Sequence, residues 1–202
     1  FGRLESFPDL SYATVDYEKA AYISTKFLID KGHKHIALLQ AFHQYQPGME
    51  RIRGYKRALE EANLPFSERN IKHVNFGARN VALRIQQLLS DLNITALIDS
   101  SGTENGEAIR EGFKRAGRVI GEDCEVLSWT YESKGCILHE ASAHVWLPVR
   151  ESASEGVELL GKWLEGKIEG PIRVLFNPIL DTERSRDKEI EPSYRFFDSY
   201  ME

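Results

Sequence analysis

A helix that halts on a glycine and turns almost at once into a strand leaves few folds open to a chain, and LIDKGHKHIALLQ (28 to 40) does this. Gly32 supplies the positive φ that closes such a helix. HIALL (35 to 39) is a continuous apolar run of strand length, which suits a parallel strand covered on both faces. Upstream, YATVD (12 to 16) reads as a short strand, and the residues after it place Ala20, Ile23 and Phe27 on one helical face. The stretch is therefore a βαβ unit.

The rhythm continues along the chain. Ile52, Tyr55, Leu59 and Ala62 share a helical stripe, followed by the turn residues NLPFSERN and a strand over 71 to 76. Helices over 79 to 92 and 103 to 116 flank a strand TALID (95 to 99), and Gly117 ends the second helix. CEVLSW (124 to 129) and AHVWL (143 to 147) read as further strands. A helix over 150 to 167 carries Val157, Leu160, Leu164 and Ile168 before a strand IRVLF (172 to 176). Alternation of this kind predicts an α/β fold with mostly parallel sheets flanked by helices, whose ligands bind outside the carboxyl ends of the strands. The strand at 12 to 16 needs a parallel neighbour, and a polar, proline-containing segment precedes it. The expectation is a lobe left incomplete in this chain, with an upstream strand and helix missing.

With 202 residues, 42% hydrophobic and 28% charged, the chain can bury a substantial core. No run approaches the roughly 18 to 20 apolar residues of a membrane span, and FGRLESFPDL has neither a basic n-region nor an apolar h-region. The expectation is a soluble chain with no export signal. A formal net charge of −5 argues against a broad grip on nucleic acid, because neutralising phosphates takes clustered Lys and Arg. Any DNA-binding part is expected elsewhere. The two cysteines, Cys124 and Cys136, are read as free thiols.

His33 and His35 form an HxH pair, but no nearby Asp, Glu or Cys completes a metal set, so no metal is expected. Neither a GxGxxG turn after a strand, nor a phosphate-binding P-loop, nor a GxSxG elbow occurs, and no cofactor is expected. IDSSGTENGE (98 to 107) places small polar residues between a strand's carboxyl end and a helix start. Ser101, Gly102 or Thr103 can cap helix amides there, and capping is compatible with ligand contact. ERIRGYKRALEEANL (50 to 64) puts Arg51 near a helix start after a polar loop, where its planar fork can hold paired hydroxyls or a carboxylate. Neighbouring Arg53 and Arg57 read as solvated partners in i, i+4 pairs. No nucleophile, base and orienter can be assembled, so the balance moves from enzyme to binding protein.

Four segments resemble, in the correct order, the effector-binding domain of the LacI/GalR family of transcriptional repressors. They are TVDYEKAAYISTKFLIDKGHKHIALL (14 to 39), ERIRGYKRALEEANL, LPVRESASEGVELLGKWLEGK (147 to 167) and NPILDTERSR (177 to 186). The resemblance implies a two-lobed periplasmic-binding-protein-like (type I) fold, dimerisation, and a small effector held between lobes. It also implies operator DNA as a partner, bound through an N-terminal helix-turn-helix absent from this chain. On that pattern, 1–47 and 148–170 form a partial N-terminal lobe, 48–147 and 171–188 the C-terminal lobe, and 189–202 a tail.

Carried over by position, Arg51 falls on the family's effector-contacting arginine and Phe76 where many members set an aromatic ring against the ligand. Two matches fail: Ser100 and Ser101 replace the Asn/Asp before a helix, and Thr130 replaces an Asp after a strand. Those carboxylates commonly clamp hydroxyls, so their loss points to a more acidic or differently shaped effector. The expected site is Arg51, Phe76, Ser100, Ser101 and Thr130. The helix over 150 to 167, with Trp163 exposed, is the expected homodimer contact. The leading reading is a cytoplasmic regulator's sensor for a sugar or sugar derivative, with no catalysis and no membrane. The alternative is a periplasmic sugar-binding protein of a transport system.

Overall fold

The computed structural model describes residues 3, 6–7, 9–41, 44–74, 78–91, 93–102, 105–131, 138–182 and 194–196. The first unit is β1 (Tyr12–Val15), α1 (Tyr17–Asp30) and β2 (Ile36–Ala41). Asp16 starts α1 by accepting from the Lys19 amide at 2.8 Å. At the other end Gly32 has φ +96°, its amide reaches the Ile29 carbonyl at 2.8 Å, and the His33 amide reaches that of Leu28 at 3.1 Å. This paired closure of the last helical turn is the one expected of a glycine just past a helix.

The chain continues through α2 (Gln46–Glu61), β3 (Ile71–Val74), α3 (Ala78–Asp91), β4 (Ala96–Ser100), α4 (Gly106–Arg115), β5 (Glu125–Thr130) and β6 (Ala143–Trp146). It then forms α5 (Val149–Leu164), β7 (Arg173–Phe176), β8 (Ile179–Asp181) and β9 (Tyr194–Phe196). The strand order of the larger sheet is β3-β2-β4-β5-β6-β8, all parallel except β8, which runs antiparallel to β6. A smaller sheet, β1-β7-β9, pairs β1 parallel to β7 and β9 antiparallel to β7.

Sheet membership departs from the segment boundaries drawn on the sequence. β2, inside 1–47, lies in the larger sheet between β3 and β4, whereas β7, inside 171–188, pairs with β1. The reason is that α1 is a crossing between sheets: it leaves β1 and delivers the chain into β2. Two further elements lie where the sequence suggested only a closing segment and a tail, namely β8 and β9. Both are short antiparallel edge strands, which carry little apolar periodicity.

The larger sheet is covered on both faces. Ala20, Ala21 and Leu28 of α1 and Tyr55 and Leu59 of α2 pack on Ile36, Leu38, Ile98, Leu127 and Trp129. Val15, Val174 and Phe176 of the smaller sheet join the same cluster, so one core links the two sheets. On the opposite face Val81, Ile85 and Leu88 of α3 and Ile109 and Phe113 of α4 pack on Leu39, Leu97 and Val126. β2 is buried along its whole length, as its unbroken apolar run requires. The α1–α2 contact depends on Gly54, where an added Cβ would stand 2.0 Å from the Glu18 carbonyl oxygen. No described helix is long and apolar enough to cross a membrane.

Candidate functional site

The order of the larger sheet reverses between β2 and β4, since the chain steps outward from β2 to β3 and then returns past β2 to β4. Loops at such a reversal diverge and open a crevice at the carboxyl ends of the two strands. Arg51, on the second turn of α2, reaches into that place and donates from Nη1 to the carbonyl of Ala41, the last residue of β2, at 2.9 Å.

The Arg51 side chain is only 2% exposed. Its guanidinium carbon lies 5.2 Å from the ring centroid of Tyr17 and 5.2 Å from that of Trp129. Tyr17 opens α1 directly after the smaller sheet's β1, and Trp129 lies near the carboxyl end of β5 in the larger sheet. The cation therefore touches the ends of both sheets. Such ring contacts offset part of the cost of removing a guanidinium from water. No carboxylate among the described residues pairs with Arg51, and its Nε is buried with no hydrogen-bond partner. A second orphan lies beside it in sequence: Gln40, 0% exposed, leaves its Oε1 unpartnered while Nε2 meets His73 Nδ1 at 3.3 Å. Buried polar atoms without partners are uncommon and concentrate where function needs them.

The adjacent acid does not balance Arg51. Glu50 is buried and accepts from Arg3 Nε at 2.9 Å and Nη2 at 2.6 Å, and from Gln46 at 3.3 Å. Its carboxyl is still held above the ordinary glutamate value because burial outweighs Arg3. Burial, more than the nearby Tyr131, also pushes the Tyr17 hydroxyl up to about 12, so it stays protonated and able to donate.

The pleat sorts the other expected residues. Ser100 shares a face with Ile98, and Gln40 with Leu38, on the side covered by α1, α2 and Arg51. Ser100 Oγ donates to the Leu39 carbonyl at 3.0 Å, leaving its lone pairs available. Thr130 is buried, and alternation from Trp129 sets it on the face away from Arg51. Ser101 is tied into the loop: its Oγ donates to Asp99 Oδ1 at 2.6 Å and accepts from Asn105 at 3.2 Å. Ser128 Oγ completes that network by donating to Asp99 Oδ2 at 3.0 Å. Phe76 lies outside the described residues, as does Thr103. The structure thus brings Arg51 and Ser100 to one face of the larger sheet and puts Thr130 on the other.

Four participants escaped the sequence reading: Tyr17, Gln40, Asp99 and Trp129. A signal existed for two of them. Gln40 and Asp99 are polar residues near the ends of apolar strands, where a polar group is either paired or functional. Arg53 and Arg57 bind Glu18 of α1 at 3.1 and 2.6 Å, so the expected intrahelical pairing is mostly replaced by a tie between α1 and α2.

At the opposite, amino end of the sheet, Glu125 accepts from Lys31 and Ser142, and lies 2.8 Å from His33 Nε2. Among the described residues, no three His, Cys, Asp or Glu side chains are grouped to hold a metal. Cys124 is a buried free thiol, pushed up to about 12 by burial, while Cys136 lies outside the described residues. A groove of about 260 Å³ runs between β1 and α5, lined by Ala13, Leu159, Leu160 and Trp163.

Comparison with known proteins identifies the fold. The model of the periplasmic binding protein-like domain matches residues 25–185. Catabolite control protein A of Priestia megaterium is 24% identical over 162 residues, covering 80% of this chain and 49% of that protein. The helix-turn-helix-type transcriptional repressor PurR of Vibrio campbellii is 40% identical over 80 residues, covering 40% of this chain and 22% of the repressor. Among solved structures, a complex of the transcriptional regulator CelR with cellobiose has a TM-score of 0.74 at 23% identity, covering 85% of this chain and 53% of that one. A LacI-family regulatory protein from Chloroflexus aggregans also has 0.74 at 23% identity, covering 89% and 65%. The chain spans about half the length, or less, of the curated relatives it matches.

Proposed function

Because the chain belongs to the LacI/GalR effector-binding family, with its periplasmic-binding-protein-like fold, we propose that it senses a small molecule at the carboxyl end of the larger sheet. The effector is a sugar or sugar derivative, and the response is a change in DNA binding by an N-terminal helix-turn-helix of a longer regulator. The observation that carries this reading is Arg51: a buried cation with an unpartnered Nε, set against the ring of Tyr17 at the start of α1 and that of Trp129 in β5.

Ser100, Thr130 and Phe76 complete the proposed lining, with Ser101 held in reserve by Asp99. A ligand gripping Arg51 also loads Tyr17 and Trp129, and so favours one angle between the sheets. A difference in affinity for two such arrangements is all a population shift requires. The protein acts as a homodimer through α5, where Leu160 and Trp163 are exposed. It works in the cytoplasm and catalyses nothing. That the relatives are transcriptional regulators favours this reading over a transport-binding protein.

The test is thermal unfolding of the full chain against sugars, sugar phosphates, sugar acids and purines. At a hundred times its dissociation constant an effector stabilises by about 2.7 kcal/mol. A shift abolished by Arg51→Ala supports the sensor. A well-folded protein that responds to no member of the panel overturns it.

A further inference from the structure

We infer that the effector is an anion, a small molecule whose carboxylate or phosphate oxygens pair with Arg51. This rests on the sensor reading above and narrows it to a chemical class. A buried guanidinium without a counter-charge is costly, and proteins normally meet that cost with a paired carboxylate. Here the neighbouring carboxylates are committed to internal donors. Glu50 takes Arg3 and Gln46, Asp99 takes the Ser101 amide and the hydroxyls of Ser101 and Ser128, and Asp16 caps α1.

What the crevice offers a ligand is therefore mostly donors. Arg51 contributes its Nε edge and net positive charge, and the Tyr17 hydroxyl stays protonated. An oxyanion matches this set: it accepts two parallel N–H bonds from a guanidinium edge, supplies the missing charge, and asks for no carboxylate. The rings of Tyr17 and Trp129 keep water from screening the pair, which strengthens it further.

Calorimetric titration of the full chain tests this. Matched sets are used, each a neutral hexose or pentose with its aldonic acid, its uronic acid and its terminal phosphate, at fixed ionic strength. The expected result is at least tenfold tighter binding of an acidic member than of its neutral parent. The carboxylate and phosphate arms then identify the oxyanion. Arg51→Gln should remove that preference and Arg51→Lys keep part of it, with near-ultraviolet circular dichroism reporting the fold of each. The wild-type comparison of acid against parent stands by itself if the glutamine variant does not fold. A neutral parent that binds as tightly as its acid overturns the anion assignment and leaves the sensor intact. A preference for acid that survives in folded Arg51→Gln overturns it as well. If the folded chain binds neither class, this inference and the sensor reading fall together.

Discussion

The two ends of the larger sheet are built by the same strands and treat charge in opposite ways. At the amino end Glu125 gathers Lys31, His33 and Ser142, and His33 turns its other nitrogen to Thr95 at 3.1 Å. Burial alone would raise the Glu125 carboxyl, but the hydrogen bonds from Lys31, Ser142 and His33 bring it below the ordinary glutamate value. At the carboxyl end Arg51 meets two rings and one carbonyl, and Gln40 Oε1 meets nothing. One end spends its polar groups on stability, and the other keeps some unspent. The lesson is that satisfied and unsatisfied polar groups separate the two ends more sharply than residue type does.

That contrast can be attacked at several points. The largest effect is expected from Gly54→Ala, because the new methyl group meets the Glu18 carbonyl and must push α1 from α2. Chemical denaturation should show a loss of about 3 kcal/mol, at the upper end of ordinary overpacking, and effector affinity should fall with it because Arg51 rides on α2. A loss too small to measure would mean that the helices slide freely and that Arg51 is not held in place.

Glu125→Gln should cost about 1 to 2 kcal/mol, as expected for charge-assisted hydrogen bonds partly screened by water. It should leave effector affinity unchanged, since the change is confined to the amino end. Altered affinity would show that the two ends are coupled. Arg51→Met should move stability by no more than about 1 kcal/mol, since replacing a buried, unpaired charge by an apolar chain of similar length is often neutral. It should abolish stabilisation by effector, and a severe loss of stability would make Arg51 a structural residue instead.

The smallest effect is on pH dependence. The folded Glu125 carboxyl titrates below its unfolded value of about 4.3. Its contribution is complete above that pH and is lost as the pH falls through the folded value. Denaturation midpoints of wild type and Glu125→Gln should therefore converge as the solution is acidified below about pH 4. Curves that stay parallel would place the acid sensitivity elsewhere.

Much of the fold was legible because burial imposes period and punctuation. The apolar run at 35 to 39 and Gly32 located α1 and β2 within a residue or two, and Gly117, with φ +66°, likewise followed the end of α4. The short β8 and β9 had no such signature. Arg51 was legible from its motif and position, whereas Tyr17 and Trp129 were not singled out because nothing local says which rings will meet a distant cation. Ser101 carried a small-polar signal that the structure spends mainly on Asp99, a residue whose role depends on Ser128 across the ladder.

By itself the sequence determined the order of elements from β1 to β7, the parallel character of most of the strands and the place of Arg51 near the start of α2. Each of these follows from local spacing, since a strand buried on both faces must be apolar throughout and a helix must end where a residue can take positive φ. Only the tertiary structure decided which sheet each strand joined, which face of β5 met Arg51, and which polar atoms remained without partners. Pairing and hydrogen-bond satisfaction depend on residues far apart in the chain: β1 finds β7, 161 positions away in register, and Arg51 finds Tyr17 and Trp129 only after α1 has crossed between the sheets.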